Sequence, residues 1–333
     1  MRELERLAEY IGISVPTAWE NCYDAAIERY EPNWLEQIDF DAVLDYYQYP
    51  QEFYRQRLHR ELELLGRDSD LNRICWLMHY ILIYGSKEDL RNIWTWSKTP
   101  FSEHGTPTTC VVALLAGQAF HAQLMTQCSY DEEQIAIHKK SVRACWTGQR
   151  DPYGIDGVSF NLMVWGAYYQ RGYMVRLGRL NYEFGIKSKH DYAEQFGDDA
   201  AYIYLHIPPA DNGLLDEEVE LSVRMAQEKL DTYFPECAGK QKVFCVRTWL
   251  LGPQLREMLK PTSNIIKFQN RFNITDYYEG TASYVSAVFK ISAPLNSVDF
   301  AALPEDTSLQ KAVKERLLKG EPLQNGVGYF TLD

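Results

Sequence analysis

The residues able to do chemistry gather in two stretches of this 333-residue chain, 176–218 and 245–269. His206 closes a β-branched and aromatic segment, Ala201–Ile207. An imidazole there can act as a general base near neutral pH, or it can simply hold a carbonyl at a strand end. Glu183 ends an alternating segment and offers a second base, or a solvated strand-end carboxylate. Cys245 sits in the apolar run Val243–Leu251, which reads as core rather than as a nucleophile, since no neighbour in sequence lowers its pKa. Arg176 and Arg179 flank Gly178 and suit either phosphate contact or ordinary ion pairing. Asn264 opens a helical pattern and is most simply a cap.

The element that positions most of these is Ala201–Phe234. Ala201–Ile207 is apolar on both faces, the pattern of a central strand, and Pro208-Pro209 must end it because proline cannot donate to a ladder. A polar loop follows, then a helix from about Asp216, with Asp216 as its expected cap and Glu217 and Glu218 in its first turn. Val219, Val223, Ala226 and Leu230 form its buried stripe. A strand, a loop and a helix N-terminus in succession make a common place to hold a ligand.

Composition narrows the rest. Apolar residues make up 46% and aromatics 14%, with 23 Tyr and 8 Trp, so the chain folds into packed cores rather than remaining disordered. A net charge of −12 disfavours nucleic acid as a partner. No apolar run is long enough for a membrane span, and the first residues lack a signal-peptide core. Seven cysteines without a C-x-x-C pair point to free thiols, a cytoplasmic setting and no metal site.

Two patterns divide the chain. Residues 1–150 read as a helical N-terminal domain, with helices at Pro16–Tyr30, Pro50–Leu65 (ended by Gly66), Leu71–Gly85 (after Asp68-Ser69-Asp70), Thr108–Gln127 and Asp131–Thr147. The Tyr46–Tyr49 and Trp94–Trp96 clusters read as core or inter-domain packing, or as the lining of an acceptor pocket. Residues 151–333 mix strands and helices around one sheet. A strand pair or one long bulged strand is expected around Gly178, and further strands at Ala201–Ile207, Val243–Leu251, Tyr284–Ile291 and Val327–Leu332. Helices are expected at Gln254–Leu259, at Asn264–Arg271 capped by Thr262 or Ser263, and at Leu309–Leu318. The fold class is α+β.

Four blocks in order, Arg-Leu-Gly-Arg-Leu-Asn-Tyr-Glu (176–183), His-Ile-Pro (206–208), Phe-Cys-Val-Arg-Thr-Trp-Leu-Leu (244–251) and Ser-Asn-Ile-Ile-Lys-Phe-Gln-Asn-Arg-Phe (263–272), resemble a two-domain bacterial acyltransferase-like family. Its members join a helical N-terminal domain to a GNAT-like C-terminal domain. The resemblance covers residues 155–290 well and the helical half loosely. It implies an acetyl-CoA or other acyl-CoA co-substrate lying in a splay between two strands, its pantetheine pairing with strand backbone and its pyrophosphate at the next helix. Carried over to this chain, the cofactor-binding residues are Ile207, Asn212, Gly213, Leu214, Asn264 and Gln269, with His206 and Glu183 as catalytic candidates. The implied reaction is acyl transfer to a small-molecule or peptide amine held between the domains. The chain departs from the pattern in two ways. Its loop has Gly213 as sole glycine among Asp211, Asp216, Glu217 and Glu218, so phosphate binding requires Lys or Arg from elsewhere. Gln269 also stands where a tyrosine would serve the leaving thiolate, which leaves Tyr277 or Tyr278 as substitutes, catalysis without a strong acid, or a non-catalytic module that binds a peptide, metabolite or protein partner.

Overall fold

The computed structural model describes residues 3–49, 51–90, 112–113, 116–117, 130–144, 163–184, 192–208, 213–291 and 293–332. The chain clusters into two compact units, Met1–Met174 and Val175–Asp333.

The first unit is helical: α1 (Glu3–Tyr10), α2 (Thr17–Glu28), α3 (Phe40–Tyr46), α4 (Gln51–Arg67), α5 (Ser69–Tyr84), α6 (Glu132–Ala144) and α7 (Met163–Gln170). Its centre is α5. The Asp68 carboxylate accepts from the amides of Asp70 and Leu71 at 3.1 and 3.0 Å, which satisfies donors that a helix start leaves orphaned. Leu71, Ile74, Cys75, Met78, Ile81 and Leu82 are then buried as the spacing predicts. Gly66 does not end α4. The helix continues to Arg67 because Asp68 begins the next one at once. Tyr47 and Tyr49 are buried, so the tyrosine cluster packs as core. The expected helix at Thr108–Gln127 falls mostly outside the described residues, although 112–113 and 116–117 are helical. The turn at 149–154, Trp94 and Trp96 also lie outside them.

The second unit carries β1 (Met174–Leu177), β2 (Leu180–Phe184), α8 (Ala193–Phe196), β3 (Ala201–His206), α9 (Asp216–Tyr233), β4 (Lys242–Thr248), α10 (Leu255–Met258), α11 (Asn264–Gln269), β5 (Asn273–Glu279), α12 (Thr281–Phe289), α13 (Ser308–Lys319) and β6 (Gln324–Leu332). The strands form one sheet in the order β1-β2-β3-β4-β6-β5. The β3–β4 pair is parallel, joined through α9, and the β2–β3, β4–β6 and β5–β6 pairs are antiparallel. The α+β expectation, an all-helical part followed by a mixed sheet with flanking helices, is met.

Local details correct the sequence reading at five points. Tyr284–Ile291 is not a strand. Its first six residues, to Phe289, lie in α12, where Tyr284, Val285 and Phe289 join Val313 and Leu317 of α13 in one cluster, so tertiary packing overrides β propensity. The strand lies just before it as β5, whose mostly exposed polar residues suit the sheet edge they occupy. The last strand begins at Gln324, three residues before the expected Val327, and inserts between β4 and β5. β3 alternates buried and half-buried residues instead of being apolar on both faces, yet it is central. Finally, β4 stops at Thr248, whose hydroxyl accepts from Leu250 N at 3.2 Å and turns the chain into a short 3₁₀ segment, Trp249–Leu251.

Candidate functional site

The pairing between the two central strands, β3 and β4, is short. The parallel register runs from Ala201↔Lys242 to Tyr204↔Cys245 and goes no further. Beyond that rung β3 continues to His206, which pairs with Asn181 of β2. β4 continues through Val246, Arg247 and Thr248, which pair with Gly328, Val327 and Gly326 of β6. The two strands therefore part at their C-terminal ends. A gap between diverging strands is a place where an extended ligand can lie.

The end of β4 is held on the β6 side by a buried polar cluster. Gln269 is completely buried, and its amide donates to the carbonyls of Leu250 and Gly252 at 2.9 and 3.0 Å. The Tyr284 hydroxyl donates to Trp249 O at 2.9 Å, and Gln254 Nε2 bridges Tyr284 Oη and Gln324 O at 2.7 and 2.8 Å. A side chain at Gly252 would meet Tyr284 Oη at 2.1 Å and Gln324 O at 2.3 Å, so only glycine allows this approach. Both amide hydrogens of Gln269 are thus spent on holding the turn, which leaves it no further hydrogen to donate. Tyr277 and Tyr278 lie on β5, separated from β4 by β6, and Arg247 stacks over the Tyr278 ring at 4.8 Å.

On the other side of the splay the structure brings His206 and Glu183 together. Asn181 and His206 are register partners, so they share a face of the sheet, and Glu183 lies on that face as the diagonal neighbour. His206 Nε2 is 2.7 Å from Glu183 Oε2. The role of each ring nitrogen follows the tautomer: the one in which Nε2–H donates to the carboxylate has Nδ1 as its accepting nitrogen. Glu183 is 3% exposed and the His206 side chain 18%, so the carboxylate backs the ring from inside and the ring faces out. Glu183 Oε1 and Asn181 Oδ1 are both buried and lack a hydrogen-bond partner among the described residues. Sequence reasoning passed over Asn181; its place beside Glu183 in the strict alternation of β2 was the available signal. Cys245 is core, as read, with burial raising its thiol to about 12.

Behind this face the β1–β2 turn is locked to α9. Gly178 takes φ +59, a conformation other residues avoid. Ser222 of α9 is completely buried; its hydroxyl donates to Leu177 O, accepts from Leu180 N at 3.1 Å and lies 3.0 Å from the Tyr182 hydroxyl. Burial pushes that phenol well above its ordinary value.

The start of α9 is built differently from the expectation. Leu215 occupies the cap position and supplies no side-chain bond, while Asp216 is the first helical residue. Its carboxylate is turned to Arg271 at 2.8 Å and Lys267 at 3.5 Å, which hold it below the usual carboxylate range. Cations do therefore arrive from elsewhere. Gly213 has φ +73 and Leu214 is buried; Ile207 is half-buried just past β3. Asn212 lies outside the described residues. Asn264 is not a cap: Ser263 caps α11 by accepting from Ile266 N at 3.3 Å, and Asn264 follows as its first residue.

This strand order, with a splayed parallel pair feeding an uncapped helix, agrees with a sequence comparison. Residues 174–330 match the family model of the GNAT-like C-terminal domain. The second unit is a GNAT-like C-terminal domain. Solved structures similar to the whole chain share its fold. One is a mutant acyltransferase in complex with octanoyl-CoA, 21% identical, with 99% of this chain and 100% of that chain covered and a TM-score of 0.70. Another is an acyltransferase in complex with decanoyl-CoA and teicoplanin, 21% identical over 99% of each chain, with a TM-score of 0.67. A third, an acyltransferase in complex with CoA and 10C-teicoplanin, is 20% identical over 99% of each chain, also with a TM-score of 0.67. No curated protein matches the chain in sequence. The helical first unit preceding a GNAT-like domain agrees with the two-domain resemblance, and among the described residues no helix is long and apolar enough to cross a membrane.

Proposed function

We propose that this chain is an acyl-CoA-dependent N-acyltransferase of the GNAT type. The observation that carries the reading is the splay beyond Tyr204↔Cys245 with the His206–Glu183 pair on its β3 side. An acyl pantetheine lying in the splay would pair its amides with the strand ends. Its pyrophosphate would reach Gly213, Leu214 and the orphan amides of α9. Ile207 and Asn212 adjoin that path in sequence, and Asn264 lies on the helix whose Lys267 reaches Asp216.

The chemistry then follows from the residues. The amine nitrogen attacks the thioester carbonyl carbon, the C–S bond breaks and the thiolate leaves. His206 Nδ1 takes the proton the amine sheds, and Glu183 stabilises the imidazolium. A thiol has an ordinary pKa near about 8.5, so its thiolate leaves without a strong acid. That accounts for a site in which Gln269 is committed to the scaffold.

The acceptor class is a small-molecule or peptide amine. Two of the similar structures hold teicoplanin or an acylated form of it, which makes teicoplanin a sensible first member of a test panel. The four described free cysteines, all buried, suit a cytoplasmic setting. The test is calorimetry with CoA and with acetyl-, octanoyl- and decanoyl-CoA, followed by thiol release with amino sugars, peptides and teicoplanin. Binding of an acyl-CoA and amine-dependent thiol release are expected. Absence of binding across the series overturns the donor. Binding without thiol release favours a module that keeps the scaffold only to bind.

A further inference from the structure

We propose that Arg179, in the β1–β2 turn, is the residue that positions the nucleotide end of the acyl donor, replacing the cation and glycines that this chain lacks in its phosphate loop. The inference rests on the acyl-CoA reading above and goes beyond it by naming a residue on a different strand pair.

The segment from Ile207 to Leu215 holds no lysine or arginine, and α9 opens with three acids. Such a segment repels a pyrophosphate unless charge comes from outside it. Arg179 supplies that charge. It is only 7% exposed; its Nη1 donates to Pro208 O at 2.6 Å and its Nε to Gly213 O at 3.1 Å. One guanidinium therefore ties the residue after β3's end region, Pro208, to Gly213 ahead of α9. The positive φ of Gly213 is part of the same arrangement.

The grip is itself rigid. Gly178 fixes the turn that carries Arg179, and Ser222 ties both sides of that turn to α9. The helix that receives the anion thus orients the arginine that sets its entry. Both acceptors of Arg179 are neutral carbonyls, and Glu218 acts on it only through space. Two carbonyls use two of its five donors, and the others have no partner among the described residues. A buried cation held in this way is suited to a dianionic pyrophosphate. Asp216, the nearest acid of the helix start, is already neutralised by Arg271 and Lys267.

The test uses the full chain as wild type, Arg179→Gln and Arg179→Lys, titrated calorimetrically with CoA and with S-octanoylpantetheine, which lacks the nucleotide. Thermal unfolding of each variant monitors the fold. The expectation is that Arg179→Gln weakens CoA at least tenfold, that Arg179→Lys recovers part of the loss, and that S-octanoylpantetheine binds all three alike. A folded Arg179→Gln that binds CoA as the wild type does overturns the proposal, as does an equal loss for both ligands, which would mark a purely structural role. Failure of the wild type to bind either ligand overturns the acyl-CoA reading instead, and the two failures are distinguishable.

Discussion

Glu183 and His206 meet diagonally across the β2–β3 ladder, Oε2 to Nε2 at 2.7 Å, with the carboxylate inside and the imidazole at the end of β3 where β3 and β4 part. A base so placed is coupled to strand register: a slip of one residue would turn it to the opposite face of the sheet. His206→Ala is expected to lower acyl transfer about 100- to 10,000-fold while leaving CoA affinity unchanged, the range for loss of a general base. Glu183→Gln, which keeps shape but removes charge, should give a smaller loss in the same direction. Stopped-flow thiol release and CoA calorimetry on the same preparations check both; full turnover by His206→Ala would exclude the imidazole as base.

Ser222 holds the hairpin turn to α9 from a completely buried position. Ser222→Ala leaves Leu180 N–H and Leu177 O without their partner, and an unsatisfied buried group costs about 1–3 kcal/mol. Urea denaturation should show a lower midpoint at unchanged slope. Because Arg179 stands on this turn, CoA affinity should fall in the same variant.

Gly252 sits where a Cβ would lie 2.1 Å from Tyr284 Oη and 2.3 Å from Gln324 O. Gly252→Ala must displace either the hydroxyl that holds Trp249 O or the β6 backbone, at a cost of about 1–3 kcal/mol. The measurement is a stability curve. An alanine variant as stable as wild type would show that the turn has slack this structure does not display.

The helical unit carries its own pH dependence. Burial lowers His138 to about 3 and His79 to about 4, and both His138 ring nitrogens lack a hydrogen-bond partner among the described residues. In the unfolded chain both titrate near about 6.5, so between the folded and unfolded values the unfolded state binds more protons. Stability is therefore whole above that upper value and falls as pH drops through the window, at up to about 1.4 kcal/mol per pH unit for each histidine. His138→Leu should flatten the fall seen by chemical denaturation between pH 7 and 4. An unchanged pH profile in that variant would mean that His138 contributes nothing to it.

Much of the fold is written locally. The stripe Val219, Val223, Ala226 and Leu230 and the proline stop after His206 each depend on neighbours within a few positions, and each is found in the structure. The dyad and the grip of Arg179 are not local. Glu183 and His206 were separately visible as candidates, but only the Asn181↔His206 register joins them. Arg179 was visible as a cation beside a glycine turn, but its two carbonyl partners belong to a later segment. The misread run at Tyr284–Ile291 has the same cause. Its aromatic and β-branched residues suit either element, and packing against α13 decides between them.

The insertion of β6 between β4 and β5 makes one segment responsible for both ladders on that side of the sheet. A proline introduced at a laddered position of Gln324–Leu332 would strip β4 and β5 of the same neighbour at once, and bare strand edges of that kind recruit other chains.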